Sequence, residues 1–133
     1  MLDLADEKRV KEYREFCEKF IGPHPSDNLF VCGAGVSTFH IDPYGQVSVC
    51  QMTRFQGYDL RRGSFQEGWY EFIPEFLAKK PTSDYACGRC ELISLCGQCP
   101  AWAWVENGNP EAPVEYLCQI AHLRAAAFNP KKS

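Results

Sequence analysis

The sequence predicts a small α+β domain: a β-hairpin and several short helices joined by cysteine-bearing loops. Three observations lead there. Apolar residues recur at helical spacing in several stretches, one stretch alternates about a turn, and eight of 133 residues are cysteine. Hydrophobic content of 45% and aromatic content of 14% suffice for one modest core.

Residues 4–20 read as an amphipathic helix. Leu4, Val10, Tyr13, Cys17 and Phe20 recur at helical spacing beside Phe16, and Gly22-Pro23 stops the run. STFHIDPYGQVSVC then alternates on both sides of Asp42-Pro43-Tyr44-Gly45, predicting a hairpin in which Gly45 takes a positive φ. Ser64 with Glu67 forms a capping box. Phe65, Trp69, Phe72, Ile73, Phe76 and Leu77 follow on one helical face, which Pro74 would kink or interrupt. A short helix starts at Pro100 and stops near Asn107-Gly108, and a last one covers about 114–127. The expected array is therefore one hairpin and four helices.

The net charge of -3 offers no basic face for nucleic acid or an anionic membrane. No apolar run is long enough to cross a bilayer, and the charged start does not resemble a secretory signal. These features predict a cytoplasmic chain, where thiols serve metals more readily than disulfides.

The metal reading rests on spacing. Cys87, Cys90, Cys96 and Cys99 form C-x2-C-x5-C-x2-C, and eighteen residues separate Cys99 from Cys118. Upstream, Cys32 is followed by twelve residues, Gly45, four residues and Cys50. Zinc ribbons separate their cysteine pairs more widely, although one zinc ion could take four of these thiolates. Iron–sulfur clusters accept tight local spacing plus a distant ligand and account for more of the thiols.

This order of seven cysteines and a turn glycine resembles the SPASM domain, the auxiliary-cluster module of many radical S-adenosylmethionine enzymes. Those enzymes modify peptides and proteins, including sulfatases and the precursor of pyrroloquinoline quinone. The likeness covers Cys32 to His122, and the gap Gly97-Gln98 is one residue shorter than the family pattern. The resemblance implies two 4Fe–4S clusters: Cys32, Cys50 and Cys99 on the first, and Cys87, Cys90, Cys96 and Cys118 on the second. His24, Ser26, Asp27 or an open iron site would complete the first cluster. Cys17 reads instead as a small core residue.

The resemblance also implies an electron-transfer and substrate-docking role beside a radical S-adenosylmethionine barrel, with a peptide or protein as substrate. The barrel's CxxxCxxC motif is absent, so no radical chemistry is expected from this chain alone, and S-adenosylmethionine would bind only in the barrel. The expected organisation is an N-terminal helix or linker from the barrel at 1–22, the cluster domain at 23–128 and a tail at 129–133. On that reading the chain is an excised fragment or a truncated gene product. The alternative is a zinc-binding structural or protein-interaction domain whose hairpin edge recruits a partner.

His40 and His122 read as surface or structural residues, and Asp42 as a turn residue. Arg61-Arg62 reads as a solvated pair, and Trp102, Trp104 and the 65–77 stripe as core before peptide groove.

Overall fold

The computed structural model describes residues 5–20 and 27–128. Leu4, Gly22-Pro23, His24, Ser26 and the 129–133 tail lie outside them. Mixed helices and an antiparallel sheet bear out the α+β class. The chain forms two compact units, residues 26–83 and residues 1–25 with 84–133.

In the 26–83 unit, β1 (His40–Ile41), β2 (Gln46–Ser48) and β3 (Tyr58–Asp59) form an antiparallel sheet in that order. His40 pairs with Ser48 and Ile41 with Val47, as the hairpin reading requires. The turn is held by Asp42, whose carboxylate accepts from the N–H groups of Tyr44 (2.9 Å) and Gln46 (3.0 Å). Gly45 follows at φ 80°.

Two expectations need correction. A third strand joins the hairpin, pairing Gln46 with Asp59 and Val47 with Tyr58. The faces of β1 are also reversed: Phe39 and Ile41 are exposed while His40 is half-buried. An edge strand can turn its apolar side chains outward when the adjacent strand supplies the core, as Val47 and Val49 do here.

The stripe at 65–77 folds as three consecutive helical pieces: α2 (Phe65–Glu67), a π turn at Gly68–Phe72 and α3 (Ile73–Leu77). Ser64 caps the start, its Oγ accepting from Glu67 N–H (3.1 Å) while Glu67 accepts from Ser64 N–H (2.7 Å). Pro74 causes no break. It lacks an N–H and its ring would crowd a tight α-turn, and the chain passes it through the wider π turn, which Ile73 closes by donating to the Gly68 carbonyl. Ile73 and Phe76 are buried with Val47 and Val49, and Phe30, Phe55, Phe72 and Trp69 pack around them. Most of the stripe is therefore core; Phe65, partly exposed, meets Phe39 and Trp69 instead.

Gly35 anchors the loop after Cys32 to this core. It stands at φ 80°, and a Cβ there would lie 2.9–3.0 Å from Val49, Ile73 and Leu77. Gly35→Ala is expected to cost about 3 kcal/mol through a left-handed backbone and overpacking. A urea transition followed at the aromatic side chains measures it, and an unchanged midpoint would refute the wedge.

In the other unit, α1 (Glu7–Phe20) is capped by Asp6, whose carboxylate accepts from Arg9 N–H (3.1 Å); this starts the helix later than the expected residue 4. A short helix absent from the expected array, α4 (Ile93–Cys96), lies between the cysteines. α5 (Pro100–Asn107) and α6 (Glu115–Phe128) match their predicted spans closely. Pro100 opens α5, and Gly108 closes it at φ 68°. α1 packs against α4 and α6. The core is small-residue: Cys96, Ala103, Val114, Leu117 and Ala121 are buried, flanked by Leu92, Leu95 and Trp102. No described helix is long and apolar enough to cross a membrane.

Candidate metal centre

Within the 84–128 segment the chain turns tightly from one cysteine to the next. Cys87 sits in a 3-10 turn, Ala86–Arg89, and its carbonyl accepts from Cys90 N–H (3.2 Å). The Cys90 carbonyl accepts from Ile93 N–H (3.1 Å), which leads into α4. Cys96 ends α4, and Gly97 follows in the left-handed conformation (φ 72°). Cys99 then precedes α5, its carbonyl accepting from Ala103 N–H (3.0 Å). Cys118 lies one turn into α6, on the helix that buries Leu117 and Ala121 against Cys96.

These turns bring four of the cysteines into one electrostatic environment. Burial pushes the Cys87 thiol up to about 11, and the charges of Cys118, Cys96 and Cys90 raise it further. Cys96 is raised by burial, then by Cys118 and Cys90, while the Gln98 N–H and the Arg124 guanidinium oppose the rise. Four thiolates this close repel one another, so a bound cationic centre is what would hold all of them deprotonated. Both Cys87 and Cys96 are 8% exposed; Cys118 is half-buried and Cys90 exposed. Among the described residues, no three His, Cys, Asp or Glu side chains converge as on a single metal ion.

Three neighbours of the thiols escaped the sequence reading. Burial pushes Tyr85 up to about 12, with the Cys87 charge adding to the rise and Gln98 beside it opposing. The Gln98 side chain hydrogen-bonds Tyr85, with its Nε2 buried. Arg124 donates to the Leu95 carbonyl (2.7 Å) and lies over the Tyr13 ring (5.8 Å), a lone cation in an otherwise apolar stretch of α6. Its position after Cys118 on an alanine-rich helix was the available signal; Tyr85 and Gln98 gave none beyond adjacency to cysteines.

Cys32 and Cys50 belong to the 26–83 unit and Cys99 to the other. Cys32 is exposed at the start of the Gly35 loop. Cys50 is fixed through its backbone: its N–H donates to Thr53 Oγ1 (3.1 Å), and its carbonyl accepts from Thr53 Oγ1 (2.9 Å) and Ser48 Oγ (3.0 Å). Thr53 is fully buried. Thr53→Val keeps the shape but strands the Cys50 N–H, so a loss of about 2 kcal/mol is expected in thermal or urea unfolding. A stability within error of wild type would show that Cys50 does not depend on this clamp.

The remaining candidates fall into structural roles. Asp27 pairs with Lys80, which holds its carboxylate below the usual range. Cys17 is fully buried on α1, matching the core reading. His122 is exposed. Arg61 and Arg62 are exposed, as a solvated pair would be, and Asp59 accepts from Arg61 Nε (2.9 Å) and Nη2 (3.0 Å). Trp102 donates to Glu106 (2.7 Å) and stacks on Tyr116. No protein family model, curated protein or solved structure matches the chain.

Proposed function

We propose that this chain is an iron–sulfur domain serving electron transfer and substrate docking in a radical S-adenosylmethionine maturase of peptides or proteins. The observation that carries the reading is the shared electrostatic field of Cys87, Cys90, Cys96 and Cys118. These residues come from a 3-10 turn, a four-residue helix and a helix more than twenty residues downstream. They would hold one 4Fe–4S cluster, and Cys32, Cys50 and Cys99 would hold a second.

Two features support this reading. Sulfur ligands suit iron, and a partly buried guanidinium offsets thiolate charge. When bound, the clusters supply one-electron transfer at a potential set by their surroundings. The chain's own part is to exclude water around Cys87 and Cys96, to neutralise charge through Arg124 and to direct N–H groups toward sulfur. The order of the seven cysteines extends the reading to a maturase partner and a peptide or protein substrate.

Iron, sulfide and zinc analysis of anaerobically purified protein tests this. About eight iron and eight sulfide per chain, with a brown colour, are expected for two clusters. A colourless protein with stoichiometric zinc would overturn the reading in favour of a zinc-binding structural or interaction domain.

A further inference from the structure

The link from α5 to α6 carries a chemistry that is independent of the cysteines. Residues 107–110 read Asn-Gly-Asn-Pro, and Asn107, Gly108 and Asn109 are exposed. An asparagine before glycine is open to deamidation in water, because glycine has no side chain to shield its nitrogen from the preceding amide. The Gly108 nitrogen would attack Asn107 Cγ and give its proton to water, and the Cγ–Nδ2 bond would break to release ammonia. Water then opens the cyclic imide at either carbonyl, leaving aspartate or isoaspartate. No oxidant or reductant takes part.

The fold opposes the first step in two ways. Asn107 is the last residue of α5, and the Gly108 N–H runs back along the helix to the Trp104 carbonyl (2.8 Å), away from the Asn107 side chain. The leaving group is held as well: Asn107 Nδ2 donates to the Pro113 carbonyl (3.5 Å). Packing adds no further shield. Gly108 supplies the left-handed residue that the cap needs (φ 68°), and a Cβ there would meet nothing within 4 Å.

We propose that Asn107–Gly108 is a latent deamidation site guarded by the cap of α5 and converted when the last turn of that helix opens. Helix ends open more often than whole domains unfold, so conversion in the folded protein follows cap opening. The change is one-way. A new carboxylate stands at a helix C-terminus, where the dipole opposes it, and isoaspartate also lengthens the main chain. Asn109 is an internal control, since Pro110 has no N–H and cannot close the ring.

The test incubates the full-length protein, folded by circular dichroism, in mildly alkaline buffer with and without guanidinium. Tandem mass spectrometry of the tryptic peptide 90–124 then reads each amide. Asn107 is expected to convert in guanidinium and at least about tenfold more slowly in the folded protein, with Asn109 intact in both. Val105→Gly, at an exposed position in the last turn, weakens the helix there and should speed conversion of the folded protein about twofold. Asn107→Gln, which would need a larger ring, should abolish the signal.

Equal rates with and without guanidinium overturn the guard, and no conversion in guanidinium overturns the site. A signal that survives Asn107→Gln assigns the chemistry to another amide and overturns it too. An unchanged rate in folded Val105→Gly overturns cap opening as the gate; where that variant does not fold, the wild-type comparison decides alone. None of these outcomes bears on the iron–sulfur reading.

Discussion

Removing iron from the anaerobically purified protein is expected to melt the 84–128 segment while the 26–83 unit stays folded. The two cores explain the difference. The 26–83 unit buries Val47, Val49, Ile73 and Phe76 under a shell of aromatic side chains, with Phe30 and Phe76 rings 4.7 Å apart. Fully burying each such large side chain is worth about 1.5–3 kcal/mol. The other core offers Ala103, Ala121, Val114, Leu117 and Cys96, so two of its five members are alanine and one is itself a proposed ligand. Metal–thiolate bonding contributes on the order of 10 kcal/mol in small metal-bound domains, comparable to the whole stability of an ordinary one. Loss of that contribution should therefore outweigh the burial that remains. Hydrogen exchange read by mass spectrometry gives the answer peptide by peptide. Fast exchange is expected across α4, α5 and α6, and retained protection across β2 and α3. Protected α5 and α6 in iron-free protein would mean that the helices need no cluster.

Local signals in the sequence carried much of this fold. Ser64 and Glu67 sit three apart and cap each other, Asp42 to Gly45 dictate their own turn, and Pro100 and Gly108 bracket α5. Such features depend on neighbours along the chain, so they are readable without tertiary knowledge. What was not legible depends on distant partners. Tyr58–Asp59 is too short to show a period and becomes a strand only because β2 has a free edge. Gly35 is required by Val49, Ile73 and Leu77, none of them nearby in sequence. The π turn at 68–72 reconciles Pro74 with a helix whose apolar face must stay on the sheet. At the candidate site, the sequence reading grouped Cys87, Cys90, Cys96 and Cys118, and in the structure these four act on one another through their charges. Spacing said nothing of Tyr85, Gln98 or Arg124, because their relevance arises from where α4 and α6 meet.

Cys118→Ala is expected to remove about half of the iron, the share of one cluster in two, whereas Cys17→Ala should remove none. Both are cysteines on helices of the same unit, so the pair separates ligation from packing. Cys118 raises both Cys87 and Cys96 through its charge, the relation expected of a shared ligand set. Cys17 is fully buried on α1, the helix that packs against α4 and α6, and there it serves as a small apolar side chain. Its replacement by alanine leaves a cavity of one sulfur atom, costing about 1 kcal/mol of stability with the visible spectrum unchanged. Cys96→Ala should behave as Cys118→Ala does. Cys99→Ala should instead spare that cluster and deplete the other, although only Gly97 and Gln98 separate the two residues. Iron counts with paramagnetic resonance spectra of the four variants give the comparison. Identical losses from Cys96→Ala and Cys99→Ala would refute the division between clusters. Iron loss from Cys17→Ala would move that thiol from the core to the ligand set, and an iron-replete Cys118→Ala would remove α6 from the centre altogether.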